Sequence, residues 1–323
     1  MSAAAHGGVL RGNAGCRYHP AVVNVLLISN AYAGGVSSRK KEVIAKALAA
    51  DCKLDVVDTA SRNHASDLSV EAIDRGFDAV VVFGGDGTVN EVAQGLVGTD
   101  VGLGILPGGS TNVMARSMGV PLDPVDATAF LGARLASNSR RRINVGRMNQ
   151  RYFLFSAGMG LDAEVVRRVE ADPDKKRKWG EWWFVVNALK AAVTQYRGSE
   201  PTITLEVEGS ESSRVVLALC CNGRPFTYFK RFPVDPCPYA SLDGGLDLLG
   251  FTKIHAATIP RVIWSLFVSR SHPRWRNVRY HHDVPSARAV ADGPMPVQVD
   301  GDYIGEMSEG ALALVPDALD LFV

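Results

Sequence analysis

The stretch Val80–Glu91, VVVFGGDGTVNE, decides the fold of this 323-residue chain. It begins with an apolar run that is typical of a strand buried on both faces and continues through Gly84-Gly85 into helical spacing. Glycines let a backbone approach a bulky anion, and the N-terminus of the following helix offers N–H groups and a positive dipole. A tight turn would explain two glycines alone. The added Asp86-Gly87-Thr88 favours a phosphate-binding loop, in which Asp86 holds phosphate-bound magnesium directly or through water.

Strand and helix patterns alternate on both sides of this stretch. Such alternation predicts a parallel sheet with helices on both faces, and sheets of this kind bind ligands at the carboxyl ends of their strands. The predicted strands are Asn24–Ser29, Leu54–Asp58, Ala79–Phe83 and Val101–Leu106, and the predicted helices are Ser38–Ala50, Ala65–Arg75 and Asn90–Val97.

A second glycine-rich loop, Leu106–Asn112 with the sequence LPGGSTN, follows the next predicted strand. Ser110 or Thr111 is also expected to cap the helix that begins there, because a hydroxyl can accept a hydrogen bond from the first helical N–H groups. Two such loops at neighbouring strand ends predict a cleft, which one loop alone would not.

The pattern changes near Arg140, after which strand follows strand. We therefore predict an α/β fold in which a parallel-sheet nucleotide-binding domain is followed by a mainly antiparallel, sandwich-like β domain. The predicted limits are a flexible leader at 1–20, the α/β domain at 21–139 and a β-rich domain at 140–323. The extreme C-terminus is expected to return to the first domain. The later predicted strands include Ile143–Arg147, Tyr152–Ala157, Thr202–Glu208, Val215–Asn222 and Leu246–Thr252.

The composition excludes several classes of protein. The 35 basic and 34 acidic residues nearly cancel, which gives no overall reason to expect nucleic-acid binding. Five cysteines without a Cys-x-x-Cys pair argue against a disulfide framework or a zinc site and favour a reducing cytoplasm. No signal peptide is visible, and no window approaches the roughly 20 apolar residues of a spanning helix.

The two glycine segments together, Gly84–Glu91 and Pro107–Asn112, resemble the diacylglycerol kinase catalytic-domain family. That family includes soluble bacterial lipid kinases and the sphingosine and ceramide kinases. NAD kinases and phosphofructokinases share the first segment, whereas the second segment and the following residues up to Arg116 narrow the choice to lipid kinases. The resemblance runs from about Val22 to Val323. It implies transfer of the γ-phosphoryl group of ATP, with Mg²⁺, to a hydroxyl of a membrane lipid, first of all diacylglycerol.

The resemblance also implies which residues contact the nucleotide. Asn30 and Gly34 match the family's loop after the first strand, although Ala31 and Ala33 replace its usual Pro and Ser. Thr59 matches a nucleotide-contacting Thr after the second strand. The full set of expected contacts is Asn30, Gly34, Thr59, Gly84, Gly85, Asp86, Gly87, Thr88, Glu91, Gly108, Gly109, Ser110 and Thr111.

Two later segments contain carboxylates for which the resemblance implies a function. In Ala240–Asp247 it implies that Asp243 is a ligand of a structural magnesium, although a glycine-rich turn before a strand would explain the segment equally well. Asn144 stands where family members often carry Asp. In Val299–Tyr303 the residues alone indicate a β-hairpin with an Asp-Gly turn. The resemblance implies that Asp302 accepts the proton of the lipid hydroxyl, so that Asp302 and Asp86 are the expected catalytic residues.

The segment Lys175–Phe184 leaves two interpretations open. Four basic residues precede three Trp and one Phe, which suits contact with anionic headgroups and the bilayer interface. A helix whose aromatic residues, up to Tyr196, pack on the second domain's sheet would suit the segment as well. The expected partner is a lipid at the inner face of the cell membrane, contacted peripherally from the cytoplasm; no nucleic-acid partner is expected, and a homodimer is left open.

Three other functions remain open at the level of sequence. The acceptor could be a sphingoid base, ceramide or another lipid alcohol. An NAD kinase-like enzyme for a soluble nucleotide would leave Pro107–Asn112 unexplained. A nucleotide-binding regulator without catalysis is the third alternative, because Asn144 and the loop at Asn30–Gly35 depart from the family's pattern.

Overall fold

A computed structural model of the protein describes residues 22–31, 33–194 and 200–323. The predicted leader and Tyr196 lie outside these residues. The strands of the first half are β1 (Asn24–Ser29), β2 (Lys53–Asp58), β3 (Ala79–Gly84) and β4 (Gly102–Pro107). Its helices are α1 (Ser38–Leu48), α2 (His64–Asp74), α3 (Asp86–Leu96), α4 (Val113–Ser117) and α5 (Pro124–Ser137).

The second half is built mainly from strands. These are β5 (Arg141–Met148), β6 (Arg151–Phe153), β7 (Ser156–Gly160), β8 (Ile203–Val207), β9 (Ser213–Val215), β10 (Leu217–Cys221), β11 (Thr227–Phe229), β12 (Phe232–Val234), β13 (Leu246–Phe251), β14 (Val278–Val284), β15 (Ser286–Val299) and β16 (Asp302–Leu321). Its helices are α6 (Leu161–Glu170), α7 (Pro173–Trp179), α8 (Glu181–Thr194) and α9 (Ile259–Trp264), and a π-helical turn, Ser265–Ser269, follows α9.

The parallel sheet predicted from the alternating pattern is confirmed. β1 lies between β2 and β3, β4 pairs with β3, and all of these pairs are parallel. Every residue of β3 and β4 is buried, as continuous apolar runs in a parallel sheet require. The carboxyl ends of β1, β3 and β4 therefore lie side by side, and the loops that follow them meet at one edge.

The antiparallel region is confirmed as well, and it continues the same sheet. Within the described residues, fourteen strands form one sheet, and only β11 and β12 pair apart from it. The long hairpin of β15 and β16 makes the connection. β16 pairs antiparallel with β15 and β5, and its end pairs parallel with β4 at Leu321 and Leu103. Phe322 then packs on Gly102, where any Cβ would lie 2.4 Å from the Phe322 ring.

A predicted strand has different boundaries in the structure. The predicted strand Tyr152–Ala157 is divided into β6 and β7, because the N–H groups of Leu154, Phe155 and Ser156 turn aside to donate to the carboxylate of Asp300. The glycine-containing segment Ser156–Asp162 forms the fully buried strand β7 and the start of α6. Glycine is required at 158, since a Cβ there would lie 1.7 Å from Asp162 Oδ2.

Candidate active site

The loops after β1, β3 and β4 are joined through their backbones. The N–H of Gly108 donates to the carbonyl of Gly84 at 2.8 Å, and the N–H of Gly35 donates to the carbonyl of Gly108 at 2.9 Å. A Cβ on Gly109 would lie 2.7 Å from the Cα of Gly85, and one on Gly108 would lie 3.1 Å from the Cα of Gly84. The glycines therefore let the loops approach one another, which is a second reason for them beside the approach of an anion.

The N-terminus of α3 opens at the junction of these loops. Gly85 is its N-cap and Asp86, Gly87 and Thr88 form its first turn, so the helix begins inside the glycine motif and not at Asn90. The first N–H groups of a helix have no partner within it, and the helix dipole favours an anion there. The first turn of α3 is thus suited to a phosphate group.

Asp302 lies directly over this first turn. It is the first residue of β16, and it follows a two-residue turn, Asp300-Gly301, in which both residues have positive φ, 49° and 81°. Its Oδ2 is 3.2 Å from the position that a Cβ on Gly87 would take. The C-terminal hairpin therefore brings a carboxylate across the cleft to the glycine motif, more than 200 positions away along the chain.

Asp86 faces the same cleft and also holds α4 in place. Its Oδ1 accepts a hydrogen bond from the N–H of Met114 at 3.1 Å. Burial raises the pKa of Asp86, and the negative charge of Asp302 acts in the same direction, while hydrogen bonds from the backbone at Val113, Met114 and Asn112 oppose the rise. Two carboxylates that repel each other at a cleft edge are suited to sharing a cation.

The helix cap expected at Ser110 or Thr111 is wrong. The N-cap of α4 is Asn112, in the left-handed region with φ 49°. Its side chain accepts from the N–H of Gly109 and donates to the Gly109 carbonyl, so it closes the loop instead of capping the helix. The carboxylate of Asp86 supplies the cap from the neighbouring loop. Ser110 is exposed at the tip.

The other expected contact residues have varied surroundings. Asn30 donates to the hydroxyl of Thr88 at 2.9 Å, which joins the loop after β1 to the first turn of α3. Thr59 is buried and its N–H donates to Ser29. Glu91 accepts from the N–H of Ala65 at 3.3 Å and so serves the start of α2. Gly34 is exposed, and no atom approaches the position of a Cβ there.

Asp300 is a site residue that sequence reasoning missed. Its buried carboxylate accepts hydrogen bonds from the N–H groups of Leu154, Phe155 and Ser156 and from Asn90 Nδ2, at 2.7 to 2.9 Å. Complete burial outweighs these bonds and raises its pKa to about 6. Because Asn90 belongs to α3, Asp300 joins the glycine motif to the β-rich half and fixes the turn that carries Asp302. The only sequence feature that pointed to Asp300 was the Asp300-Gly301 pair, and this pair by itself predicted only a turn.

The residues around Asp243 do not fit a structural magnesium. Asp243 is 63% exposed and pairs with Arg141 at 2.8 Å. Asn144 donates its amide N–H to the carbonyl of Gly244 and accepts from the N–H of Asp317, so a donor occupies the place of the family's carboxylate. Asp247 is buried and accepts from Tyr280, His282 and the N–H of Asp283. Among the described residues no group of three His, Cys, Asp or Glu side chains is placed to hold a metal ion.

Comparison with known proteins identifies the first half. The sequence profile of the diacylglycerol kinase catalytic domain matches residues 24–148, which contain both glycine loops. Residues 24–148 thus resemble a diacylglycerol kinase catalytic domain. The diacylglycerol kinase of Bacillus subtilis is 27% identical over 252 residues, 76% of this chain and 78% of that protein. A Pseudomonas putida protein with the broader name of YegS-like lipid kinase is 34% identical over 151 residues, 45% of this chain and 50% of that protein.

The diacylglycerol kinase fold extends beyond the catalytic domain. A crystal structure of a diacylglycerol kinase from Bacillus anthracis superimposes with a TM-score of 0.68 at 20% identity, over 93% of this chain and 96% of that one. Both halves thus share the fold of that protein. The resemblance to a lipid kinase family is confirmed. None of the helices among the described residues is long and apolar enough to span a bilayer.

Proposed function

We propose that this protein transfers the γ-phosphoryl group of ATP to the hydroxyl of a membrane lipid, with diacylglycerol as the first candidate and phosphatidic acid as its product. The placement of Asp302, with Oδ2 3.2 Å from the Cβ position of Gly87, carries the proposal. It sets a carboxylate opposite a helix N-terminus that suits a phosphate chain. That is the arrangement required when an alcohol attacks a bound phosphoryl group.

Each group in the cleft has a distinct task in this proposal. The backbone of Gly84–Thr88 and the loop Gly108–Thr111 hold the phosphates through N–H groups and exclude bulk water by their close contact. Asp86 is the carboxylate that would hold magnesium, which supplies neutralising charge to the phosphoryl oxygens. Asp302 orients the lipid hydroxyl and takes its proton, a contribution of roughly 10²- to 10⁴-fold. Asp300 fixes the turn that aims Asp302.

The decisive experiment follows label from γ-labelled ATP into lipid. Purified protein, Mg²⁺ and diacylglycerol in mixed micelles are expected to give labelled phosphatidic acid, and Asp302→Asn should lower kcat by at least about 10²-fold because the amide cannot accept a proton. Glu306→Gln is the matched control, since Glu306 is an exposed carboxylate on the same strand. Full activity of Asp302→Asn would exclude Asp302 as the proton acceptor.

The acceptor is settled by offering alternatives under the same conditions. Sphingosine, ceramide and monoacylglycerol test other lipid alcohols, and NAD tests a soluble acceptor. We expect the label to enter an organic-soluble product. Label on NAD would replace the lipid assignment with a nucleotide kinase, and label found only as free phosphate would contradict acceptor phosphorylation altogether. ATP binding without turnover would identify a regulator.

The proposed place of action is the cytoplasmic face of the cell membrane, because the lipid acceptor resides there. Peripheral contact is the expected mode of access. Floating the protein with isolated membranes on a density gradient tests this contact, and recovery of all of the protein in the non-floating fraction under activity conditions would contradict it.

A further inference from the structure

Large apolar side chains are exposed together on three elements of the second half. Trp182 at the start of α8 is 51% exposed, Phe232 on β12 is 52% exposed, and Trp264 at the end of α9 is 60% exposed. Val268, in the π-helical turn, is 53% exposed. Single exposed apolar residues are common, but aromatic residues from separate elements gathered in one place indicate an interaction surface.

Ring contacts join α8 to the π-helical turn through β11. The Trp182 ring meets the Phe229 ring edge to face with centroids 5.0 Å apart, and Phe229 meets Phe267 in the same way at 6.3 Å. The N–H of Asp235, just after β12, donates to the carbonyl of Leu266 at 3.0 Å, which fixes the hairpin of β11 and β12 against the π-helical turn. We call this surface the aromatic face: Trp182, Phe229, Phe232, Ile263, Trp264, Phe267 and Val268.

The residues of α9 and the π-helical turn are spaced to present one apolar stripe. Ile263 and Phe267 are four positions apart, as are Trp264 and Val268, so the pairs lie along one side of the helical segment. Phe267 is half-buried under Phe229, whereas Trp264 and Val268 project outward. The buried carboxylate of Asp235 holds the end of this segment through Arg270, 2.7 Å away.

Cations border the aromatic face. Arg231 stacks over Phe232 at 5.3 Å, and Lys230 precedes it at the tip of the hairpin. Other exposed cationic residues on the same elements or on the adjoining α7 are Lys178, Lys190 and Arg261. The carboxylate of Glu181 is directed to the backbone N–H of Lys230. Exposed Trp with a border of Lys and Arg suits the interface of a bilayer that contains anionic lipid, where Trp lies at headgroup depth.

The aromatic face adjoins the cleft. Arg116, four residues after the Asn112 that closes the second glycine loop, donates to the carbonyl of Lys230 at 2.8 Å and stacks over Tyr228 at 4.7 Å. The hairpin therefore spans from the phosphate-binding side of the molecule to the exposed aromatics. A bilayer that contacts the aromatic face would lie next to the site at which a lipid hydroxyl is needed.

We propose that the aromatic face is the surface by which this protein docks on a bilayer containing anionic phospholipid. The biological purpose of this docking rests on the proposed function, since a lipid acceptor has to enter from a membrane. The test of docking does not depend on that function. The proposal also bears on the two interpretations left open for Lys175–Phe184. The helix breaks at Gly180, where φ is +54°, and Trp183 is half-buried near the ammonium groups of Lys175 and Lys190. Of that segment, Trp182 contributes to the aromatic face.

Vesicle binding without ATP tests the docking surface separately from catalysis. The full chain is sedimented with vesicles of phosphatidylcholine mixed with phosphatidylglycerol. The variant Phe232→Ser/Trp264→Ser should lower the partition coefficient by about tenfold or more, because each exposed aromatic that inserts contributes on that scale. Arg231→Glu should weaken binding to the mixed vesicles and leave binding to pure phosphatidylcholine unchanged. Added salt should weaken wild-type binding to the mixed vesicles.

A matched pair of valines supplies the control. Val268 on the aromatic face and Val70 on α2 are both helical and similarly exposed, 53% and 48%. Val268→Ser should lower vesicle binding, whereas Val70→Ser should not. Thermal unfolding of each variant confirms that it is folded. Equal loss of binding in the two valine variants, or wild-type binding by Phe232→Ser/Trp264→Ser, would overturn the proposal.

Two further readouts separate the remaining outcomes. Light scattering reports the oligomeric state: a dimer that the double variant dissociates without change in vesicle binding would mean that a second copy of the chain covers the aromatic face, which overturns the proposal. Kinase activity in detergent micelles reports the chemistry. Vesicle binding that depends on the aromatic face in a protein without lipid kinase activity would support docking and reject the proposed function. Activity in micelles together with vesicle binding that is insensitive to the variants would support the proposed function and reject docking through the aromatic face.

Discussion

At the scale of single residues, two aspartates of one turn have different tasks. Asp302 points over the first turn of α3, while Asp300 points inward to four N–H donors. Asp300 lies in the turn itself, with φ 49°, whereas Asp302 is the first residue of β16 after the turn, so the two side chains leave the backbone in different local conformations and reach different surroundings. The accessible carboxylate is suited to proton transfer and the buried one to positioning.

Asp162 gives the stability of the protein a dependence on pH. Burial raises its pKa to about 6, and its Oδ1 is buried without a hydrogen-bond partner, while Gln298 donates to Oδ2 at 3.0 Å. An acid whose pKa is higher in the folded state binds its proton more tightly there. Its contribution to the unfolding free energy is therefore largest below about pH 4 and falls as the pH rises through about 6.

Asp162→Asn should remove this dependence, because an amide carries no charge to desolvate. At pH 8 we expect an increase of about 1–3 kcal/mol in the unfolding free energy, measured by urea denaturation. At pH 3.5 the difference between variant and wild type should vanish, since the wild-type carboxyl is then protonated in both states. A variant that is less stable than wild type at pH 8 would show that the charged form of Asp162 is the stabilising one.

Glycine 109 tests whether close contact between the loops matters. A Cβ at this position would meet the Cα of Gly85 at 2.7 Å, a backbone atom that cannot rotate away. Gly109→Ala should therefore separate the two loops, and we expect kcat/KM for ATP to fall by about tenfold or more. Gly132→Ala is the control: no atom lies within 4 Å of a Cβ in this α5 position, and Ala should stabilise the helix by up to about 1 kcal/mol. Wild-type kinetics of Gly109→Ala would contradict the proposed loop geometry.

At the scale of elements, short helices depend on neighbours. α4 has five residues, too few to be stable by itself, and its N-terminus is capped by Asp86 from the loop after β3. The two glycine loops and α4 therefore form one unit: the carboxylate that faces the cleft also holds the helix that follows the second loop. A change at Asp86 is therefore expected to alter the local structure at the start of α4.

The link between Asp86 and α4 can be measured without turnover. Asp86→Ala should accelerate amide hydrogen exchange in Met114–Ser117, because the N–H of Met114 loses its acceptor and the short helix frays. Exchange in α5 should remain as in wild type. Asp126→Ala, an exposed carboxylate in the first turn of α5, serves as the control and should leave α4 unchanged. Unaltered exchange in α4 of the Asp86 variant would exclude the capping role.

At the scale of the whole molecule, one sheet runs through both halves. β16 pairs with β15 and β5 along most of its length and ends beside β4 of the parallel sheet. Asp300 adds a second connection, from the turn at the start of β16 to α3. The position of Asp302 in the cleft therefore depends on contacts between the halves and not on either half alone.

Asp300→Ala should uncouple this arrangement. Three backbone N–H groups and the amide of Asn90 would lose their buried acceptor, so we expect the unfolding free energy to decrease by about 3–5 kcal/mol, measured by chemical denaturation. Lipid kinase activity should fall as well at temperatures where the variant is folded, since the turn that carries Asp302 is no longer fixed. Glu306→Gln, exposed on the same strand, should match wild type in both measurements. A loss of less than about 1 kcal/mol would mean that water replaces the carboxylate readily.

Local patterns in the sequence determined the parallel sheet, the two glycine-rich loops and the Asp-Gly hairpin, because periodicity and turn chemistry depend on neighbours along the chain. They also placed the glycine motif at the carboxyl end of a parallel strand. They failed at Tyr152–Ala157, where a distant carboxylate divides the predicted strand, and at the cap of α4, which comes from another loop. In both cases the deciding partner lies far away in sequence.

Only the tertiary structure decided that Asp302 meets the first turn of α3, that Asp300 holds it there, and that aromatic residues from three elements form one face beside the cleft. Asp243 seemed a metal ligand from its segment, but its pairing with Arg141 and the amide of Asn144 depends on how β5 lies against the following loop. The sequence by itself determined which groups could bind phosphate. Folding determined which groups meet, because contacts across hundreds of residues follow from strand pairing and packing and not from local pattern.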